Sequence, residues 1–171
     1  ALYVGISSYR PEEAKKAIEI LKQLGTPCLI HQPRYSMLDR WVEEGLLGLL
    51  EKEKIGCIAF SSLAQGLLTN KYLKGIPKSS KAGRHLENGA ITESQVTKEV
   101  IEKAKKLNEI AASRDQSLAQ MALAWVLKDE RITSVILGAS KPRQVLESIE
   151  AIKNIHFTKE ELEKIDGILK Q

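Results

Sequence analysis

The chain has 171 residues, with 26 Lys and Arg against 22 Asp and Glu, and its formal charge of +4 is spread along its length. At 43% apolar and 28% charged residues it falls outside the disordered, collagen-like and disulfide-scaffold classes, and the diffuse positive charge suits phosphorylated small molecules without implying nucleic acid. A chain this long can bury roughly 70% of its unfolded surface in one core, so residues 1–171 read as a single domain.

The first element is an apolar run from Leu2 to Ser7, predicted as a buried strand; with no initiating Met before it, the sequence reads as though it begins in mid-domain. Pro11-Glu12-Glu13 then opens a helix, with Pro in the first turn and carboxylates at the positive end of the dipole; Ala14, Ala17, Ile18, Leu21 and Leu24 share a face and Gly25 stops it. Cys28 to Gln32 is the second strand. Leu38, Trp41, Val42, Leu46, Leu49 and Leu50 recur at helical steps and predict one amphipathic helix. Gly56 to Ser61 is the third strand, followed by a long polar, Gly-containing stretch from about Asn70 to Thr97.

Two helical patterns come next, Val100 to Ala111 and Leu118 to Val126. The fourth strand, Ser134 to Gly138, leads into a helix with Val145, Leu146, Ile149 and Ile152 on one face. Thr158 and Glu161 form a capping box that opens a last helix carrying Leu162, Ile165 and Leu169. Trp41 and Trp125 fall on apolar helical faces and are read as structural. Cys28 and Cys57 sit inside apolar runs without zinc-ligand spacing and are read as buried thiols; no metal is expected. No apolar run approaches the roughly 20 residues of a membrane span, so a cytoplasmic address without membrane partners is expected.

Alternating strand and helix argue for a parallel α/β sheet with right-handed crossovers. An open doubly wound sheet would carry GxGxxG after its first strand, but that turn reads Gly5-Ile6-Ser7-Ser8-Tyr9. A run of four units from an eight-stranded barrel fits better, because the polar residues cluster at the C-terminal ends of the strands.

Those ends are where chemistry could sit. The run Gly138-Ala139-Ser140-Lys141-Pro142-Arg143-Gln144 passes from strand to helix with a Ser cap and two cations, which suits a phosphate cradle as well as it suits an ordinary solvated helix start. His31, Gln32, Arg34 and Tyr35 end the second strand, and Phe60, Ser61, Ser62, Gln65 and Gly66 end the third. Amide, hydroxyls and an aromatic face on one rim would suit a planar heteroaromatic carboxamide, although packing of Phe60 and Tyr35 in the barrel top, with the hydroxyls capping turns, is the commoner use of such residues. His31 reads as a hydrogen-bonded structural residue, and His85 and His156 as surface positions. No nucleophile, base and acid can be assembled in a catalytic order.

The runs Gly5 to Tyr9, His31-Gln32-Pro33-Arg34-Tyr35-Ser36, Phe60 to Leu68 and Leu137-Gly138-Ala139-Ser140 together resemble the second half of an aldo-keto reductase over essentially the whole chain. Leu63 to Tyr72 and Gln116 to Trp125 are most similar to the L-glyceraldehyde 3-phosphate reductase group, near the potassium-channel β-subunits. The resemblance implies strands five to eight of a (β/α)8 TIM barrel, with its C-terminal helix, and reduction of a small carbonyl substrate by NADPH. It implies that Ser7, Ser8 and Gln32 hold the nicotinamide carboxamide, although many relatives have Asn where Ser8 stands, and that Phe60 stacks on the ring. Ser61, Leu63, Gln65, Gly66 and Lys71 would follow the pyrophosphate, and Gly138, Ser140, Lys141, Gln144, Glu147 and Ser148 the adenosine 2′-phosphate end, with Arg143 a weaker partner. Residues 70–97 correspond to a loop over the cofactor. The family's catalytic Asp, Tyr, Lys and His have no match here, so no catalytic role is carried over. A nucleotide-binding scaffold of the channel β-subunit kind is the alternative. The strands Leu2 to Ser7 and Ser134 to Gly138, if unpaired, would invite homo-oligomers.

Overall fold

The computed structural model describes residues 1–78, 80, 82–84 and 91–170. Its strands are β1 (Val4–Ser7), β2 (Cys28–Gln32), β3 (Gly56–Ala59) and β4 (Ser134–Val135), in one parallel sheet of order β1-β2-β3-β4. Its α-helices are α1 (Pro11–Gln23), α2 (Leu46–Glu53), α3 (Lys98–Ser113), α4 (Leu118–Leu127), α5 (Pro142–Ile149) and α6 (Lys159–Leu169). The chain divides into two compact units, Ala1–Ser62 with Val126–Gly138 and Leu63–Trp125 with Ala139–Gln171.

The first unit holds the sheet. Sequential neighbours in parallel order mean that every strand ends on the same side, so the residues following β1, β2 and β3 share one rim. Helix α1 forms as predicted, with Ala14 and Ile18 buried, and the Arg10 N–H donates to Glu13 Oε2 at 3.0 Å across its first turn. Cys28 and Cys57 are free and buried, and burial, with the Asp129 charge second, pushes the Cys57 thiol up to about 12.

Four predicted elements differ here, among them β3, which ends at Ala59 rather than Ser61. The helix expected from Leu38 to Leu50 is a 3-10 turn, Trp41–Glu43, and then α2, because Gly45 between them takes φ 99°, a left-handed conformation that ends one helical run and starts another. β1 begins at Val4, leaving Leu2 and Tyr3 exposed. β4 is two residues long rather than running to Gly138; β3 ends at Ala59, and Ile136 N–H donates to the Ala59 carbonyl at 2.8 Å just beyond the strand. A strand can be no longer than its partner allows.

In the second unit the polar stretch after residue 70 has an apolar core of its own: Tyr72, Ala82, Ile91 and Val96 are buried together, with Leu67, Ile76 and Ile101 against them. Helix α3 is capped by Thr97, whose hydroxyl accepts from Val100 N–H, and buries Ala104, Leu107 and Ala111. The Thr158–Glu161 capping box of α6 is present as expected. Arg114, after α3, is buried and donates to Glu161 Oε2 at 2.7 Å, to the carbonyls of Asn154 and His156 and to Gln116 Oε1, with its guanidinium 3.7 Å over the Phe157 ring. A buried cation is tolerated because these acceptors replace its hydration. His156 is exposed as expected, and His85 lies outside the described residues.

The apolar face expected on the helix after β4 is not buried. Val145, Leu146 and Ile149 on α5 and Ile152 beyond it are 39 to 66% exposed, and Ile152 belongs to a separate 3-10 segment, Glu150–Asn154. Periodicity identifies an amphipathic face but not what covers it.

Candidate functional site

The rim of the first unit gathers Ser7, Ser8, Gln32, Phe60 and Ser61. Register pairs Ser7 with Gln32, and the Gln32 carbonyl accepts both from Ser7 Oγ at 2.8 Å and from Ser8 N–H at 3.1 Å. The Ser7 and Ser8 hydroxyls lie 3.4 Å apart on an exposed surface. Ser8 has φ 62° and Ser61 φ 56°, left-handed conformations that cost a non-glycine residue about 1 kcal/mol or more. Strained backbone at the ends of β1 and β3 is what a binding rim commonly shows. Phe60 is half-buried, its N–H donating to the Pro33 carbonyl at 3.0 Å and its carbonyl accepting from Tyr35 N–H at 3.2 Å, so its backbone is held beside the segment that follows β2.

Two residues of this rim serve the fold instead. Tyr35 is wholly buried and its hydroxyl donates to Glu43 Oε1 at 2.8 Å, with burial the main cause that pushes its phenol far above the usual range. Arg34 pairs with Asp39 at 3.1 Å. His31 is wholly buried on β2, with Nε2 3.2 Å from the Tyr9 carbonyl, and burial pulls its imidazole below the ordinary value. Gly138 belongs to this unit and is exposed.

In the second unit Leu63, Gln65, Gly66 and Lys71 form one compact loop. Ala64, Gln65 and Gly66 take φ of 46°, 56° and 103° in succession, a left-handed turn closed by Gly66 N–H donating to the Leu63 carbonyl at 2.9 Å and Leu67 N–H to the Ala64 carbonyl at 3.1 Å. Lys71 Cδ lies 3.7 Å from where a Gly66 Cβ would stand, so the stem of this exposed lysine lies against the turn, with its ammonium 5.8 Å from the Tyr72 ring centroid. Thr69, which the sequence reading passed over, joins the two: its hydroxyl donates to the Gly66 carbonyl at 2.7 Å and accepts from Lys71 N–H at 3.1 Å. A Thr ahead of a Lys in a turn is the signal that could have found it. The Gln65 side chain does not face open solvent alone; its Oε1 accepts from Ile91 N–H at 2.8 Å.

The same unit holds Ser140, Lys141, Gln144, Glu147 and Ser148 at the start of α5. The helix cap is Lys141, not the expected Ser140, and Gln144 Oε1 accepts from Ser140 N–H at 2.8 Å, from Lys141 N–H at 3.1 Å and from Ser140 Oγ at 3.2 Å. One side-chain oxygen therefore fills the position an anion would take at this N-terminus. Arg143 pairs with Glu147 at 2.6 Å, and Ser148 Oγ donates to the Gln144 carbonyl at 2.7 Å. Among the described residues no group of His, Cys, Asp and Glu is placed to hold a metal ion, and no helix is long and apolar enough to cross a membrane.

The Aldo/keto reductase family model matches residues 1–170. The L-glyceraldehyde 3-phosphate reductase of Escherichia coli O157:H7 is 51% identical over 168 residues, which are 97% of this chain and 49% of that protein. A protein of Schizosaccharomyces pombe that carries the name of a voltage-gated potassium channel subunit beta is 34% identical over 173 residues, 99% of this chain and 50% of its own. Among solved structures, the glycerol dehydrogenase AKR11B4 from Gluconobacter oxydans superposes with a TM-score of 0.77 at 24% identity, covering 98% of this chain and 48% of that one, a likeness of fold. The chain spans about half the length of the curated relatives it matches.

Proposed function

The chain belongs to the aldo/keto reductase family, and from that premise we propose that it supplies the cofactor-binding half, strands five to eight, of a barrel that reduces aldehydes or ketones with NADPH. The observation that supports this most is the pairing of Ser7 and Ser8 with Gln32 at the ends of neighbouring parallel strands, which sets two hydroxyls beside an amide on an exposed rim. A carboxamide needs both donors and acceptors, and hydroxyls and an amide offer both. Phe60, next on that rim, would stack on the nicotinamide ring, with Ser61 following. The Ala64-Gln65-Gly66 turn with Lys71 would take the pyrophosphate, the Lys71 ammonium matching that charge. Gly138, Ser140, Lys141, Gln144, Glu147 and Ser148 would take the adenosine 2′-phosphate end, the phosphate displacing the Gln144 oxygen from the start of α5. Bound there, NADPH supplies the hydride.

This reading gives no residue of the chain a catalytic role. The proton for the developing alkoxide would come from a first half of the barrel, which would also build part of the substrate pocket. Glyceraldehyde 3-phosphate or a related small carbonyl is the proposed substrate class, on the strength of the 51% identity to the Escherichia coli reductase. The deciding experiment is a calorimetric titration of the chain with NADPH and with NADH. Binding that favours NADPH is expected, and a chain that takes up neither would overturn the proposal.

A second reading draws on the 34% identity to the channel-subunit relative: nucleotide binding would serve assembly rather than turnover. The two separate when the chain is joined behind the first half of the Escherichia coli reductase. Reduction of small aldehydes by that chimaera supports the first, and NADPH binding without turnover the second.

A further inference from the structure

Ser7 ends β1 and Ser8 opens the turn to α1, and the geometry of that turn is held from β2. Ser8 is in the left-handed region at φ 62°, a conformation with no intrinsic preference for serine, so contacts must hold it there. Two come from Gln32, whose carbonyl accepts from Ser7 Oγ and from Ser8 N–H. The third reaches the other side of Ser8: His31 Nε2 lies 3.2 Å from the Tyr9 carbonyl.

A carbonyl oxygen only accepts, so Nε2 carries the proton. The imidazole is wholly buried, which disfavours a second proton, so Nδ1 presents a lone pair, and it has no hydrogen-bond partner among the described residues. A buried histidine that leaves one ring nitrogen unsatisfied is costly as mere filling, since an apolar side chain of that size would pack without the penalty. What the ring does satisfy is the one carbonyl that fixes where the chain leaves Ser8.

We propose that His31 is a positioning residue for the nicotinamide end of the cofactor: its Nε2–H anchors the Tyr9 carbonyl, and through it fixes the left-handed Ser8 turn that aims the Ser7 and Ser8 hydroxyls. The inference rests on the proposed function for its ligand, but the anchoring itself is a property of the free chain. His31 touches neither cofactor nor substrate in this account; it acts through the turn.

The test uses two variants and three readouts. His31→Met keeps an apolar side chain of similar reach and removes the donor, and His31→Gln keeps an N–H near the reach of Nε2. Hydrogen exchange of the Ser8 amide, measured without any ligand, is expected to quicken about fivefold in His31→Met and to return toward the wild-type rate in His31→Gln, the size expected from losing one ordinary hydrogen bond. NADPH should bind His31→Met about tenfold more weakly, while 2′,5′-ADP, which has the phosphorylated adenosine but no nicotinamide, should bind as it does to wild type. Equal losses for both ligands, or no recovery in His31→Gln, would reduce His31 to a structural role and overturn the inference with the proposed function intact. If wild type binds neither ligand the proposed function falls, and Ser8 exchange still decides the anchor: an unchanged rate in His31→Met ends it.

Discussion

Gln65 Oε1 accepts a hydrogen bond from Ile91 N–H at 2.8 Å, so the turn proposed to hold the pyrophosphate is tied directly to the far end of the segment that follows it. Ile91 is buried beside Tyr72, Ala82 and Val96, and Tyr72 in turn lies against Gly66. The amide of Gln65 thus joins two ends of one small core. Gln65→Ala should release the Ile91 amide, and a single bond worth about 1 kcal/mol corresponds to hydrogen exchange roughly fivefold faster at that position. Mass-spectrometric exchange reads this without any ligand, and an unchanged Ile91 rate would mean the bond does not form in solution.

Gly66 is the second fixed point of that turn. Its φ of 103° is a conformation that side chains rarely adopt, and a Cβ there would lie 3.4 Å from Tyr72 Cε2. Gly66→Ala is therefore expected to destabilise the chain by about 1–3 kcal/mol through backbone strain, before any effect on binding. Urea unfolding measures it, and the midpoint should fall with the slope unchanged. Gly48→Ala, in α2 with nothing within 4 Å of its Cβ position, is the control and should be neutral or stabilising.

What the sequence discloses here follows from how local each signal is. Helices α1 and α6 are legible because Pro11 with its two glutamates, and Thr158 with Glu161, act within a single turn. The rim is legible for a similar reason: parallel order places Ser7, Gln32 and Phe60 together once the strands are found. The break at Gly45 is hidden because the apolar steps continue on both sides of it. The short β4 is hidden because strand length belongs to the pair, and Ile136, just past β4, already meets the carbonyl of Ala59, the last residue of β3. The core of Tyr72, Ile91 and Val96 is hidden because its members are far apart in sequence and no period connects them. Gln65 and Gln144 show the same limit in the site: residue type identifies an amide, and only the fold shows that its oxygen already has N–H donors.

Arg114 gives the sharpest stability prediction. Its guanidinium is buried and satisfied by Glu161, Gln116, Asn154 and His156, so Arg114→Leu takes the Arg donor from the His156 carbonyl and Gln116 Oε1, while Glu161 keeps the Thr158 N–H and the Asn154 carbonyl keeps Gln116 Nε2. Losing hydrogen bonds to a charged group costs about 1.5–3 kcal/mol. Burial pushes the Glu161 carboxyl up, but the Thr158 N–H and the Arg114 guanidinium outweigh it and hold the group below its ordinary 4.5. A depressed folded pKa means that the stabilisation is full above 4.5 and lost as pH falls through the folded value. Acid titration of wild type should show that loss, and Arg114→Leu should show less of it.

His31 makes the opposite side of the same argument, at a pH where carboxylates are silent. Burial holds its imidazole below the ordinary 6.5, with the Tyr9 carbonyl opposing more weakly. As pH falls the unfolded chain therefore takes up this proton first, so stability is complete above about 6.5 and declines below it until the folded ring is also protonated. Asp129, held low mainly by its hydrogen bond to Arg131, and Glu161 begin to lose their contributions only near 3.8 and 4.5. The melting temperature should accordingly be level above about pH 7 and fall as the pH drops below about 6.5. In His31→Met that interval should flatten, because the side chain no longer titrates in either state. A slope that persists unchanged in the variant would place the titrating group elsewhere and remove the buried neutral imidazole from the account.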